Sequence, residues 1–252
     1  LEFRRVLFRS AFEEWLTFAM DHYKSKSAEL PKPFDRLDRD GFIAACAAGG
    51  KDVYWFMWKC FQAADADRDG SGTLTVTNQG ELDANGAPLE IYAGDMVLNG
   101  QVKSEGATIR VSTSSKDVQM GLGAATYDFN LSASELQNIV ADKLVFGGED
   151  SGNIYVSDID LEDLANIDND IVFEALGEES YIQFESSGSD FDNLTLRSNE
   201  GIQVLADLNS VNGIDLDADV NQVGLGTLQI GAGSSLSTQD TDILVVAKDM
   251  DV

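Results

Sequence analysis

Positive charge is scarce in this chain of 252 residues: 17 Lys and Arg stand against 44 Asp and Glu, a formal net charge of -27. A surface of that sign repels phosphate backbones and anionic headgroups, which excludes nucleic acid and acidic membrane surfaces and favours divalent cations or basic partners. Cysteine, histidine and proline are scarcer still, at two, one and three residues. Nowhere do about 18 apolar residues run together, so no membrane-spanning helix is expected.

The scarce residues are also unevenly placed. Cys46, Cys60, His22, all three Trp (Trp15, Trp55, Trp58) and two of the three Pro (Pro31, Pro33) precede residue 73. Residues 1–72 carry 11 Lys or Arg against 12 Asp or Glu, while residues 73–252 carry 6 against 32, so nearly all the net charge lies in the second segment. Two segments of different chemistry therefore meet near residue 73. Beyond it, with no His and only six cations, few general bases or oxyanion donors remain. Phosphate-binding glycine motifs and calcium-roll repeats are absent as well, so a non-enzymatic protein is expected. For Cys46 and Cys60, buried thiols and a disulfide both stay open.

Residues 1–10, LEFRRVLFRS, resemble the conceptual translation of a common sequencing adapter and are set aside from fold reasoning. Residues 11–72 read as α-helical. Phe12, Trp15, Leu16 and Ala19 recur at helical spacing, Pro31 and Pro33 break the pattern, and Tyr54, Met57, Trp58 and Phe61 share one later helical face. That last stretch runs into DADRDGSGTLT, which resembles an EF-hand calcium loop in its oxygen ligands at alternate positions and its glycine at the sharp bend. The resemblance implies weak calcium binding by Asp65, Asp67, Asp69 and Ser71, with Asn78 in the place of the usual bidentate carboxylate in one of two registers. In the other register that place falls on Val76.

From residue 73 the pattern changes to β. Leu89, Ile109 and Phe129 stand 20 residues apart, as do Ile91, Val111 and Leu131, and each triplet alternates apolar, polar, apolar. Ile182 and Phe184 return as Ile202 and Val204, and Leu194 and Leu196 as Ile214 and Leu216. A strand pair recurring at this interval predicts a solenoid in which Leu89, Ile109 and Phe129 stack in one inward column. Residues 73–252 are thus expected to form a mainly β fold, a parallel β-helix, behind a small α-helical EF-hand-like segment. At SELQNI the count slips, and either a helical turn with a Ser132/Glu135 capping box or a plain corner fits. Outward, Glu90 and Arg197 are expected to pair with Arg110 and Asp217, and Asp215, Asp217 and Asp219 to form a repelling acidic ladder.

LTVTNQGELDANGAPLEIYAGDMVLNGQV and ELQNIVADKLVFGGEDSGNIYVSDIDL resemble the repeats of filamentous-haemagglutinin-like exoproteins and autotransporter adhesins. The resemblance implies a right-handed β-helix, an extracellular or cell-surface location, and a rod that offers binding sites to a cell-surface or matrix ligand. The rival reading is an EF-hand calcium-regulatory protein suited to the cytoplasm, its helical segment mis-joined to unrelated β-helix sequence.

Overall fold

The computed structural model of the protein describes residues 72–252 apart from residues 225 and 240, all within one compact unit, Lys51–Val252. The described part is mainly β. It opens with β1 (Thr73–Val76), β2 (Glu81–Asp83), β3 (Leu89–Ala93) and β4 (Asp95–Leu98), followed by the long β5 (Gln101–Thr113). Next come β6 (Met120–Gly123), β7 (Phe129–Leu131), the four-residue helix α1 (Ala133–Leu136), β8 (Ile139–Gly148) and β9 (Ile154–Ser157). Three strands then follow in succession, β10 (Asp170–Ala175), β11 (Ile182–Phe184) and β12 (Ser189–Phe191), and a second set repeats them as β13 (Asn193–Ser198), β14 (Gly201–Val204) and β15 (Leu208–Ser210). A third set is β16 (Ile214–Asp217), β17 (Thr227–Ile230) and β18 (Leu236–Thr238), and β19 (Ile243–Val246) and β20 (Asp249–Asp251) close the chain.

Every pairing among these strands is parallel. The first sheet runs β19-β16-β13-β10-β8-β5-β2, with β3 also on β5; the second runs β20-β17-β14-β11-β9-β6-β7; the third is β12-β15-β18; and β1 pairs with β4. From β10 onward the chain visits the three sheets in cyclic order, and each visit lays its strand beside the one before. Residues 11–72 lie outside the described part save Gly72, as do the helical segment and adapter-like start expected there.

Alternation sets which side chains turn inward. In β11, Ile182 and Phe184 are buried and Gln183 is not; in β13, Leu194 and Leu196 are buried between partly exposed Asn193, Thr195 and Arg197. Parallel register then stacks equals on equals, with Leu89 on Ile109, Leu144, Ile171, Leu194 and Ile214 in turn. Phe173 sits at the centre of an aromatic group, its ring 5.7 Å from Phe146, 5.8 Å from Phe191 and 6.2 Å from Phe184. Each such side chain contributes roughly 1.5–3 kcal/mol by leaving water.

The expected columns hold in their first two members and fail in the third. Leu89 pairs with Ile109 and Ile91 with Val111, but Phe129 and Leu131 lie in the second sheet, on Met120 and Leu122. The residue that follows Ile109 in its column is Leu144, 35 positions on rather than 20. The excursion through β6, β7 and α1 intervenes, and within it β7 folds back along β6 after only nine residues, taking Met120 to Phe129. The spacing of Phe129 thus matches the period but not the place.

At SELQNI the helical turn forms. The Ser132 N–H donates to Glu135 Oε2 at 2.9 Å, and the other carboxylate oxygen accepts the Leu98 N–H at 3.1 Å. Asn138 Nδ2 donates to the Leu98 carbonyl at 2.9 Å, so α1 both caps itself and closes the end of β4. Replacing Glu135 by Ala leaves two backbone donors without their acceptor, and should cost about 1–2 kcal/mol, read as a lower thermal midpoint.

Register also decides how the acidity is borne. Across the paired strands no carboxylate directly faces another: Asp83 faces Lys103, Glu90 faces Arg110, Glu174 faces Arg197, Asp170 faces Asn193 and Asp190 faces Asn209. Asparagine amides bond the neighbouring acids, Asn209 Nδ2 to Asp190 at 2.9 Å and Asn212 Nδ2 to Asp192 at 2.8 Å. The expected acidic ladder is therefore corrected. Asp215 and Asp217 follow one another along β16 and face Thr195 and Arg197 across the sheet, with Asp219 just beyond the strand. Carboxylates two residues apart on a strand repel by about 0.6 kcal/mol at water's dielectric, less than a stacked pair. The expected ion pairs shift too. Arg110 bonds Glu174 at 2.6 Å rather than Glu90, and Arg197 bonds Asp215 rather than Asp217. Arg110 reaches past β8 to Glu174 on β10, and Arg197 reaches diagonally to Asp215 on the neighbouring β16, a freedom that their length allows. Asn209→Asp would set a carboxylate against Asp190, so its thermal midpoint should fall by an amount equivalent to about 1 kcal/mol and recover in added NaCl.

A candidate ligand-binding face

The outward side of the second sheet carries a cluster of three tyrosines, Tyr127, Tyr155 and Tyr181. β9 alternates Ile154 and Val156 inward with Tyr155 outward, and the position beside Tyr155 on β6 is Gly121. The loop after β6 lies over that glycine, where a Cβ would press into the Ala125 carbonyl. The loop brings Tyr127 onto Tyr155, with ring centroids 3.7 Å apart and planes within 9°. Asn130 fixes it there, its Oδ1 accepting the Tyr127 N–H at 2.6 Å and its Nδ2 donating to the Tyr127 carbonyl at 2.5 Å. Tyr181 meets Tyr155 edge-on, at 5.8 Å and 82°, and the two hydroxyls lie 2.8 Å apart.

Polar side chains order this cluster. Tyr127 donates its hydroxyl to Glu185 Oε1 at 3.1 Å, and Gln183 Nε2 donates to Glu185 Oε2 at 2.6 Å. Asn153 Nδ2 donates to the Tyr155 hydroxyl at 3.2 Å while its Oδ1 accepts the Tyr181 N–H at 3.1 Å. On its other side Asn153 lines an open cleft of about 520 Å³ together with Lys116, Asp117, Gln119, Glu178 and Glu179. Away from the cleft, Gln183, Gln203 and Gln229 stand in register on β11, β14 and β17.

The Tyr127 and Tyr181 hydroxyls are harder to ionise than free phenol groups. Loss of solvent, followed by the hydrogen bond to the Glu185 carboxylate, pushes Tyr127 up to about 12; burial and then the bond to Tyr155 raise Tyr181 as well. The folded chain therefore holds these protons more tightly than the unfolded chain, whose tyrosines titrate near 10. This contribution to stability is complete below about pH 10 and declines as the pH climbs through the folded-state values. The urea midpoint should be flat to about pH 10 and fall above it, and Tyr127→Phe should make that fall shallower.

Of the residues expected to hold calcium, Asp65, Asp67, Asp69 and Ser71 lie outside the described residues. Asn78 is exposed in the turn closed by the Gly80 N–H on the Thr77 carbonyl, and the preceding residues form β1 where an EF-hand would begin its exit helix. Among the described residues no group of three or more His, Cys, Asp or Glu is arranged to hold a metal ion, and no helix is long and apolar enough to cross a membrane. The tyrosine cluster is absent from the sequence expectations. Tyr127, Tyr155 and Tyr181 follow no 20-residue interval, and the one available signal is Tyr155 at the outward position of an Ile-Tyr-Val strand. Compared with protein-family models, with curated proteins and with solved structures, the chain has no match.

Proposed function

We propose that residues 73–252 are a segment of a right-handed parallel β-helix of adhesin or exoprotein type, non-enzymatic, extracellular or at the cell surface, which offers its outward faces to a cell-surface or matrix ligand. The observation that carries this reading is the cyclic visit to three parallel sheets with inward residues in register. Right-handedness follows from the strong preference of parallel crossovers for that hand. Six steps of about 4.8 Å along the first sheet make a rod about 29 Å long, rigid enough to hold a binding face at a fixed distance. The absence of Cys after residue 72 agrees with the resemblance to large exoproteins, and that resemblance implies a location outside the cell. The calcium-regulatory alternative rests on Asp65, Asp67, Asp69 and Ser71, with Asn78 as its one described ligand.

The test is adherence. Beads carrying the full chain are expected to adhere to cultured epithelial cells or matrix-coated glass above the level of beads carrying an unfolded Ile109→Asp chain. Equal retention of the two would remove the adhesin reading.

A further inference from the structure

We propose that the outward face of the second sheet binds a linear neutral glycan, with the Tyr127 ring as stacking platform and the Gln203 and Gln229 amides as its hydrogen-bonding partners. The inference deepens the adhesin reading and rests on it for the ligand's biological place.

Four observations carry it. Tyr155 covers one face of the Tyr127 ring, and Tyr127 as a residue stays partly exposed. The side chains of Gln203 and Gln229 are partly exposed and make no hydrogen bond to the described residues, unlike Gln183, which is engaged by Glu185. The three glutamines stand on successive parallel strands about 4.8 Å apart, a row of amide donors and acceptors that continues the register position of Tyr155, the tyrosine on which Tyr127 stacks. The backbones of β11 and β14 are paired on both sides, so a peptide cannot add there as a further strand and a ligand must be read by side chains.

Those side chains select the chemistry. A pyranose ring has an apolar C–H face that stacks on an aromatic ring and a rim of hydroxyls that both donate and accept, which matches Tyr127 with the unengaged Gln203 and Gln229 amides further along the same face. A peptide held by apolar anchors would find only Leu205, 42% exposed, on this stretch of the face. Anionic ligands are disfavoured because Glu185 lies beside the ring and Asp117, Glu178 and Glu179 line the adjoining cleft. The one cation in the cleft, Lys116, is already shared between Glu178 at 3.7 Å and Asp117 at 3.9 Å. An uncharged chain of sugars meets none of this repulsion.

The experiment is affinity electrophoresis of the full chain through gels containing hydroxyethyl cellulose, laminarin, a neutral galactan or a mannan, with polygalacturonate as the acidic comparison. At least one neutral polysaccharide should retard the protein and polygalacturonate should not. Tyr127→Ala should weaken that retardation about tenfold, Tyr127→Phe should restore most of it, and the Gln203→Ala/Gln229→Ala pair should weaken it by a similar factor. The glutamines are outward and unengaged, so that pair keeps its thermal midpoint and remains informative if Tyr127→Ala unfolds. Retardation by none of the neutral polysaccharides, equal retardation by polygalacturonate, or retardation unchanged in the glutamine pair would each overturn the proposal. If the beads adhere to cells while no neutral polysaccharide retards the chain, the adhesin reading stands and the glycan assignment falls; if retardation occurs without adherence, the reverse holds.

Discussion

Replacing Ile109 by Asp is expected to abolish the folded state of the β segment. Ile109 is fully buried in the first sheet with Leu89 on one side and Leu144 on the other, so an aspartate there meets only hydrocarbon along its column. Burying a carboxyl without a partner costs several kcal/mol whether it ionises or takes up a proton, and the contribution of the buried isoleucine, about 1.5–3 kcal/mol, is lost as well. Against a total stability on the order of 5–15 kcal/mol, that is enough to unfold most domains. Circular dichroism should lose its β signature, or the melting transition should collapse toward room temperature. Ile109→Val, which removes one methylene, should cost only about 0.5–1.5 kcal/mol. A variant with aspartate at this place and an unchanged melting temperature would mean that residue 109 does not face the core.

Gly147→Val should be nearly as damaging, through the backbone. Gly147 is the penultimate residue of β8, at φ +90, a conformation that a β-branched residue adopts only under strain. A Cβ there would also press into the carbonyl oxygen of Glu174 on the neighbouring strand and stand 3.1 Å from Ile154 Cδ1. Neither neighbour has room to withdraw, since Glu174 is held in the ladder and Ile154 is fully buried. The Gly147 carbonyl further accepts hydrogen bonds from Arg110 Nη1 at 3.0 Å and Ser112 Oγ at 2.8 Å, so displacing it loosens the Arg110–Glu174 pair. Strain of about 1–3 kcal/mol and the lost bonds together should lower stability by about 3–5 kcal/mol, measured by urea denaturation. Gly106 provides the comparison: its φ is +74, but a Cβ added there would meet nothing within 4 Å, so Gly106→Asn should cost only about 1 kcal/mol. Similar losses at both glycines would mean that conformation alone, rather than the Glu174 contact, sets the cost at Gly147.

Several elements are legible in the sequence alone. The alternation in LEIYA, IQF and NLTL reads directly as inward and outward faces, because side chains on a strand must point to opposite sides. The 20-residue interval also names true neighbours wherever the intervening corners are of equal length, as from Ile182 to Ile202 and from Leu194 to Ile214. The Ser132/Glu135 pair announces a capped turn, and that turn forms.

Other features depend on which strand comes to lie beside which. Alternation says that Phe129 turns inward but not on what it stacks, because a corner can lengthen without disturbing the strand that follows it. The nine-residue return of β7 onto β6 shows how far apart period and place can be. The same holds for charge and for the candidate site. Composition determined that residues 73–252 carry a large excess of acid, but only register decided that Asp190 meets Asn209 and Glu174 meets Arg197 rather than another carboxylate. Tyr127 and Tyr155 are 28 positions apart and become a stacked pair because Gly121 leaves space for the loop that joins them in the fold. What the amino-acid sequence determined by itself was local: the in-and-out pattern of each strand, the capped turn and the sign of the surface, all set by neighbours a few residues away. What the tertiary structure alone decided was the pairing of strands wherever the corners differ in length, since that depends on the summed lengths of the corners, and no single corner reports that sum.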